Sequence, residues 1–262
     1  MLADELIALY EAAREAPPFT ETYPGLTAAQ GYEAAQALHR HRLARGWKPL
    51  GRKIGFTNRT LWPRYGVYEP IWGTVYDRTA SFAAGDRGVV PLDGLLNPRI
   101  EPEICFRLKA VPRGPGAEAL LEAIDWVAHS FEIVQSPFPG WKFQLADCTA
   151  ANGLHGRLLV GTPQPVRELP QLAAALPSLS VELLKEGIVV DRGVGANVLD
   201  SPLLALGHLV EALARQPGAA PLAAGEIIST GTLTDAHPVR PGESWSTRLA
   251  GLPLPGLSVR FE

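Results

Sequence analysis

The sequence predicts an α+β protein with a sheet-rich core. Strand-like segments dominate from residue 81 onward, whereas helical patterns concentrate near the N-terminus. Proline and glycine, at 24 and 26 residues, are spread along the chain, which favours many short elements over a helix bundle. With 262 residues, of which 46% are hydrophobic, the chain is long enough to bury a large core.

Local patterns place the first elements. Residues 2–15 predict an amphipathic helix that ends before a pair of prolines. A second helix is predicted to begin after Thr27, a favourable N-cap residue, and to end near Gly46. Residues 50–60 predict a strand and a turn, and a loop-rich stretch is expected to follow as far as residue 80.

Strands account for most of the remaining chain. They are predicted for the segments GVVPL, IEPEICFRL, HSFEIVQS, RLLVG, SLSVELLKEG, IVVDRG, EIISTG and LSVRFE. Two helices are expected among them, at GPGAEALLEAIDWV (114–127) and SPLLALGHLVEALARQ (201–216). We therefore expect a helical N-terminal region, residues 1–80, packed on a β-rich core, residues 81–262.

Charge and composition exclude several classes of partner. The net charge is −3, the isoelectric point is near 6.1, and no basic stripe stands out, so no nucleic-acid partner is expected. No apolar run reaches the length of a membrane span, and the acidic N-terminus is unlike a signal peptide. Two cysteines in apolar segments do not form a disulfide framework. We expect a cytoplasmic protein with no membrane partner.

The segment RIEPEICFRL carries an unusual pair of acids in a strand of otherwise apolar character. Side chains alternate across a strand, so Glu101 and Glu103 share one face, while the isoleucines and phenylalanine share the other. Residues two apart lie roughly 6–7 Å apart at the backbone, close enough for both carboxylates to bind one cation. The alternative is the solvated face of an ordinary sheet.

A third acid, Glu132, lies in the strand-like segment SFEIVQ. Three carboxylates that converge from two strands repel one another unless a cation or shared protons compensate them. An all-oxygen ligand set suits Mg²⁺ or Mn²⁺ and leaves positions open for water and substrate. No cysteine or histidine spacing in the chain is typical of a zinc site.

Five motifs in order resemble one enzyme family. They are GRKIGFTN (51–58), RIEPEICFRL (99–108), FEIV (131–134), DCTAANG (147–153) and STGTLTDAHPVRPGE (229–243). Their order and spacing are similar to those of the hydratase/decarboxylase family within the fumarylacetoacetate hydrolase superfamily. The resemblance covers nearly the whole chain and implies a mixed β-sandwich or roll core with a helical N-terminal region.

The resemblance also implies roles for individual residues. It assigns Glu101, Glu103 and Glu132 to a divalent metal, Mg²⁺ or Mn²⁺. Lys53 and Asp77 correspond to catalytic positions, and Lys53 is expected to be a proton shuttle or a carboxylate partner. A lysine between a metal and an apolar wall can have its pKa lowered toward neutrality; the alternative is an ordinary surface lysine. The implied substrate contacts are Thr230, Gly231, Thr232 and Asn152, although a glycine turn between strands explains the STGT segment equally well.

The function implied by the resemblance is that of a metal-dependent lyase acting on a small 2-oxo acid. Hydration of 2-hydroxypenta-2,4-dienoate to 4-hydroxy-2-oxopentanoate, in the meta-cleavage breakdown of aromatic compounds, is the first expectation. A 4-oxalocrotonate-type decarboxylase, an acylpyruvate-type C–C hydrolase and a catalytically silent binding homologue are the alternatives. A homo-oligomer is expected by analogy, together with an association with a partner enzyme of the same pathway.

Overall fold

Two mixed β-sheets organise the computed structural model, which describes residues 2–262. The strands, in chain order, are β1 (Pro49–Gly55), β2 (Ile71–Tyr76), β3 (Ala80–Phe82), β4 (Arg87–Val90), β5 (Arg99–Leu108), β6 (Ile124–Val134), β7 (His155–Val160), β8 (Gln164–Pro165), β9 (Ser180–Lys185), β10 (Ile188–Val194), β11 (Ile227–Thr232), β12 (His237–Pro238), β13 (Ser244–Ala250) and β14 (Ser258–Phe261). Their pairing confirms the expected α+β class with a sheet-rich core.

The larger sheet runs in the order β2-β1-β11-β5-β6-β7-β3, with β12 beside β5 and β8 beside β6. The β1–β11 and β3–β7 pairs are parallel, and the other pairs in this sheet are antiparallel. The smaller sheet runs in the order β10-β9-β13-β14-β4. Some neighbouring strands, such as β1 and β11, therefore come from distant parts of the chain, whereas β5, β6 and β7 are consecutive.

Helices cover the sheets. They are α1 (Leu2–Ala12), α2 (Phe19–Thr22), α3 (Ala28–Ala44), α4 (Trp62–Tyr65), α5 (Ala117–Ala123), α6 (Leu145–Ala150), α7 (Leu172–Ala175) and α8 (Pro202–Arg215). Thr27 caps α3 by accepting a hydrogen bond from the Gln30 amide, as its sequence position predicts. Among the described helices, none combines the length and the hydropathy that a membrane-spanning segment requires.

Side chains alternate along β5 as expected, with apolar residues on one face and the two predicted acids on the other. Ile100 packs with residues of the smaller sheet, among them Trp245 and Phe261, which makes the two sheets a sandwich at this end. Ile104 and its neighbours on the same face pack against α8. The opposite face of β5 carries the two predicted acids, so the structure places them on the other side of the larger sheet from the sandwich core.

Two predicted elements differ from the structure. The helix expected over 114–127 ends at Ala123, because the following Ile124, Trp126 and Val127 favour a strand and form the beginning of β6. The loop-rich stretch before residue 80 contains β2, which is buried throughout.

In the predicted N-terminal region the long helices end at Ala44, only the four-residue α4 follows, and β1 and β2 belong to the larger sheet. Helices α1, α2, α3 and α6 share one apolar cluster on this side of the molecule, which includes Leu6, Leu38 and Phe138. A boundary at residue 80 stays a prediction.

Candidate active site

Strand pairing brings the three predicted glutamates together. β5 and β6 are antiparallel neighbours, and their register sets Glu101 directly opposite Glu132 and Glu103 opposite Ser130. One carboxylate oxygen from each of Glu101, Glu103 and Glu132 lies within 4.8 Å of the others. Like charges directly opposite each other destabilise a sheet, so this arrangement needs a compensating charge.

Burial makes the acidic cluster costly in the absence of a cation. Glu103 and Glu132 are fully buried, and Glu101 is half-buried. Burial raises the pKa of Glu101 to about 8, and burial together with the charges of Glu132 and Glu101 raises the pKa of Glu103 well above its ordinary value. Within residues 2–262, nothing donates a hydrogen bond to Glu103 Oε1. Three convergent carboxylates with a buried free oxygen fit a hard divalent cation such as Mg²⁺ or Mn²⁺.

Lys53 supplies a positive charge beside the cluster. It lies on β1 between β2 and β11, and its side chain is only 3% exposed. The ammonium Nζ lies 3.1 Å from Glu132 Oε2 and donates a hydrogen bond of 3.0 Å to the carbonyl of Gly153. Burial opposes the charged form, but the carboxylates of Glu132, Glu101 and Glu103 outweigh it and raise the pKa of Lys53. The expectation of a pKa lowered toward neutrality applies to a lysine beside a bound metal ion, and it stays a prediction.

His155 fixes the orientation of Glu132 from the other side. Its Nδ1 lies 2.8 Å from Glu132 Oε1, and its Nε2 lies 2.9 Å from Thr79 Oγ1. Burial lowers the pKa of His155 despite the neighbouring carboxylate. For Glu132, the charge of Lys53 and the hydrogen bond from His155 outweigh burial, so the pKa is lowered and the carboxylate stays ionised. No sequence motif indicates this contact, because it joins residues 23 positions apart.

The STGT segment holds Glu103. The Ser229 hydroxyl donates a hydrogen bond of 2.5 Å to Glu103 Oε2, and the Gly231 amide donates one of 2.9 Å to the same oxygen. The register between β11 and β5 shifts between Ser229 and Thr232, which adds one residue to β11 and turns this amide toward Glu103. Gly231 has φ +101°, and a Cβ there would lie 1.7 Å from Thr57 Oγ1. Only glycine fits this position.

The two predicted threonines of this segment have their hydroxyls engaged within the protein. Thr230 donates a hydrogen bond to the carbonyl of Ile104, at 2.7 Å. Thr232 donates to the carbonyl of Thr234, at 2.9 Å, and its oxygen also accepts from the Thr234 amide. Thr232 nevertheless lines the cavity beside the acidic cluster.

Asn152 and Asp77 are placed differently from the prediction. The side-chain amide of Asn152 accepts a hydrogen bond from the Thr74 amide and donates one to the Thr74 carbonyl. Asn152 therefore binds the backbone of β2. Asp77 is exposed and accepts a hydrogen bond from the Lys48 amide. Lys48 precedes β1, whereas Lys53 lies five residues further along, or about 16 Å at ~3.3 Å per residue. Asp77 therefore lies near the beginning of β1, at the opposite end of that strand from the acidic cluster.

A cavity opens beside Lys53 and Glu101. Apolar and aromatic side chains line much of it, including Phe56, Tyr65 and Trp141. Thr57 also lines it, and within the described chain its buried hydroxyl has no hydrogen-bond partner. Thr57 is a candidate binding residue that the sequence analysis did not single out, although it lies inside the GRKIGFTN motif. An unpartnered buried hydroxyl facing a cavity is available to a ligand.

Comparison with known proteins gives close relatives along the whole chain. No protein-family model matches it. A 4-oxalocrotonate decarboxylase of Pseudomonas sp. (strain CF600) is 35% identical over 268 residues, which span 98% of this chain and 97% of the relative. A 2-keto-4-pentenoate hydratase of Paraburkholderia xenovorans (strain LB400) is 30% identical and covers 95% of this chain and 90% of the relative.

Solved structures agree with the sequence relatives. The 4-oxalocrotonate decarboxylase from Pseudomonas putida G7, complexed with magnesium and adipate, superposes with a TM-score of 0.89 at 32% identity, covering 100% of this chain and 96% of the other. The fumarylpyruvate hydrolase from Pseudomonas aeruginosa superposes with a TM-score of 0.58 at 14% identity, covering 80% of this chain and 88% of the other. This second likeness shows a shared fold, and it confirms the expected mixed β core with helices at the N-terminus.

Proposed function

The chain belongs to the hydratase/decarboxylase family of the fumarylacetoacetate hydrolase superfamily, and we propose that it is a metal-dependent lyase acting on a small 2-oxo acid. The observation that carries this proposal is the buried cluster of Glu101, Glu103 and Glu132 with Lys53 against it. Two fully buried acids and a third half-buried one, with a free carboxylate oxygen on Glu103, are costly on a sheet face that has only a structural role.

Glu101, Glu103 and Glu132 would hold the ion, which is Mg²⁺ or Mn²⁺. The magnesium complex of the Pseudomonas putida relative supports this assignment, as does the all-oxygen donor set. When bound, the ion supplies Lewis-acid stabilisation of negative charge that develops on a substrate oxygen. Ser229 and the Gly231 amide keep Glu103 oriented, and His155 keeps Glu132 oriented, so the ligand atoms are held before the substrate arrives.

Lys53 is the proposed acid–base group. Its raised pKa keeps Nζ protonated at neutral pH, so it can donate a proton or bind a substrate carboxylate. The Gly153 carbonyl and Glu132 fix its position beside the cavity. Asp77 is too far along the strand to share this task, and we do not assign it a catalytic role.

The cavity wall supplies the proposed substrate contacts. The free hydroxyl of Thr57 can donate to a substrate carboxylate, and Thr232 lies on the same wall. Gly231 contributes by letting Thr57 approach closely, and Thr230 and Asn152 contribute by fixing the backbone around the site. Phe56, Tyr65 and Trp141 give part of this wall an aromatic surface.

Two overall reactions share this machinery. In hydration, Lys53 would deliver a proton to a dienol carbon of 2-hydroxypenta-2,4-dienoate before water adds to the conjugated double bond. In decarboxylation, the C–C bond to the departing CO₂ breaks and its electron pair moves through the conjugated double bond to the 2-oxo oxygen, which leaves a dienolate that Lys53 would protonate. The chain is 35% identical to the decarboxylase relative and 30% identical to the hydratase relative. We therefore retain decarboxylation as a second candidate reaction.

A direct assay separates these reactions. Protein purified free of metal is supplied with Mg²⁺ and either 2-hydroxypenta-2,4-dienoate or 4-oxalocrotonate. Loss of dienol absorbance without CO₂ identifies a hydratase, and CO₂ release from 4-oxalocrotonate identifies a decarboxylase. Cleavage of an acylpyruvate would identify the hydrolase alternative. Absence of turnover on all three substrates would contradict the proposed lyase and leave a silent binding homologue.

The assay includes two matched glutamate variants. Glu103→Gln keeps the size of a metal ligand but weakens its oxygen donor, so we expect Mg²⁺-dependent turnover to fall by at least about a hundredfold. Glu118→Gln makes the same change on an exposed helix position and is expected to leave turnover unchanged. Full turnover in Glu103→Gln would disprove the metal assignment.

Assembly belongs to the same proposal. We propose that the chain forms a homo-oligomer and associates with a partner enzyme of its pathway, as expected from its family. Sedimentation velocity of the purified chain tests the first statement, and a monomer at micromolar concentration would contradict it.

A further inference from the structure

A second cavity lies between the N-terminal helices and the larger sheet, and it is rich in arginine. We name it the arginine pocket and define it by Glu11, His41, Arg42, Arg45, Arg78 and Arg157. Its volume is about 550 Å³, which is the size of an ordinary small-molecule site. The pocket is separate from the cavity beside Lys53, although Thr79 and His155 line one of its walls.

Positive charge in the arginine pocket exceeds negative charge. Glu11 is its carboxylate, and it forms ion pairs with Arg45 and His41. For Arg42, Arg78 and Arg157, no carboxylate within residues 2–262 lies within 4.0 Å of the guanidinium nitrogens. Three guanidinium groups therefore face the same cavity without a counter-charge.

Arg42 is the most informative of these residues. It is only 9% exposed, and its guanidinium carbon lies 5.3 Å from the ring centre of Tyr10 and 4.9 Å from those of Trp47 and Tyr76. These aromatic faces hold the cation in place, but they do not neutralise it. Arg42 also has a hydrogen bond with Tyr76, but no carboxylate of the described residues lies within ion-pair distance. A buried charge without a counter-ion is unfavourable, so an anion bound beside Arg42 would stabilise it.

Arg157 adds a second guanidinium beside Arg42. Its hydrogen bonds go to neutral acceptors, the carbonyls of Gly156 at 3.2 Å and Asp93 at 3.3 Å. Burial and the nearby charge of Arg42 lower the pKa of Arg157. The two side chains therefore repel each other across the pocket, and an anion between them would relieve this repulsion.

We propose that the arginine pocket binds a small dianion, either a phosphate group or a dicarboxylate. Guanidinium groups present paired N–H donors that match the oxygens of both classes. Arg42 forms the buried end of the site, while Arg78 and Arg157 reach it from the more exposed side. Nothing in this proposal depends on the metal or on the reaction at Lys53.

Calorimetric titration of the metal-free full-length chain tests the proposal. Inorganic phosphate and succinate are titrated separately at low ionic strength, without magnesium or substrate. We expect saturable binding of at least one of them at one site per chain. Arg157→Gln and Arg78→Gln are each expected to weaken binding about tenfold or more, because each removes a charged donor. Arg113→Gln, an exposed arginine outside the pocket, is the matched control and should bind normally.

Each outcome has a defined meaning. Preference for phosphate assigns a phosphoryl ligand, and preference for succinate assigns a dicarboxylate; both support the site. Thermal unfolding of each variant shows whether it remains folded. If Arg157→Gln does not fold, the proposal is still tested by Arg78→Gln, because Arg78 is exposed and its replacement should not disturb the fold. Absence of saturable binding for both anions, or unchanged affinity in folded Arg157→Gln and Arg78→Gln, would overturn the proposal.

Discussion

Lys53 illustrates how neighbours decide the chemistry of a single residue. Burial alone would favour the neutral amine, yet three carboxylates favour the ammonium and raise its pKa. The same ammonium helps to keep Glu132 ionised, so the two groups stabilise each other's charged forms. Neither residue's charge state follows from its own surroundings alone.

Lys53→Met tests this residue directly. The change keeps the length of the side chain but removes the transferable proton, so we expect turnover to fall by roughly 10²–10⁴-fold. Metal affinity should fall less, because the three carboxylates remain. Steady-state kinetics and Mn²⁺ titration measure the two effects separately. The exposed Lys109→Met is the control, and equal turnover in the two variants would rule out acid–base action by Lys53.

At the level of single elements, β11 shows how one extra residue shapes the site. Its bulge breaks the regular pairing with β5 between Ser229 and Thr232 and directs the Gly231 amide to Glu103. The same glycine leaves space for the Thr57 hydroxyl. The bulge therefore contributes to the metal ligands and to the cavity wall at once.

Gly231→Ala is expected to damage both the fold and the site. The positive φ costs about 1–2 kcal/mol for a residue with a Cβ, and the clash with Thr57 adds to it. Gly225→Ala is a matched control, since Gly225 also has a positive φ, +92°, but open space around its Cβ. Chemical denaturation should show a larger loss of unfolding free energy for Gly231→Ala. Equal losses would mean that the close approach to Thr57 is unimportant.

Within single elements, the sequence predicts the features that depend on local residue pattern and residue type. The face shared by Glu101 and Glu103 follows from the period of a strand, and the cap at Thr27 follows from residue type. The end of α5 was not predictable, because its helix-forming residues run directly into Ile124 and the strand residues that follow. Its boundary depends on the pairing of β6 with β5, which is a long-range contact.

At the scale of the whole molecule, the contacts that could not be predicted are those between segments far apart in the sequence. The His155 contact with Glu132 and the free hydroxyl of Thr57 exist only once the sheet has formed. Asp77 was misplaced for the same reason, since its position depends on pairing with Lys48. The resemblance to a family supplied the roles of Glu132 and Lys53, which alternation by itself does not reveal.

The electrostatics of the entire cluster predict how metal binding depends on pH. Glu101 has a pKa of about 8 in the metal-free protein, so below that pH it carries a proton that a cation must displace. Apparent affinity for Mn²⁺ should therefore rise between pH 6 and pH 8, by roughly tenfold per pH unit for each proton released. Titration calorimetry in two buffers of different ionisation enthalpy counts the protons. A flat affinity over this range would contradict the protonated state of Glu101 in the metal-free protein.

The position of β1 between two neighbouring strands also governs how the protein loses activity. This strand is hydrogen-bonded on both sides, to β2 and to β11, and its last five residues are buried. Backbone amides in such a place exchange with deuterium only when the surrounding sheet opens as a unit. Lys53 is thereby held in a paired and buried strand, so partial fraying of termini or loops should leave catalysis intact until this part of the sheet opens.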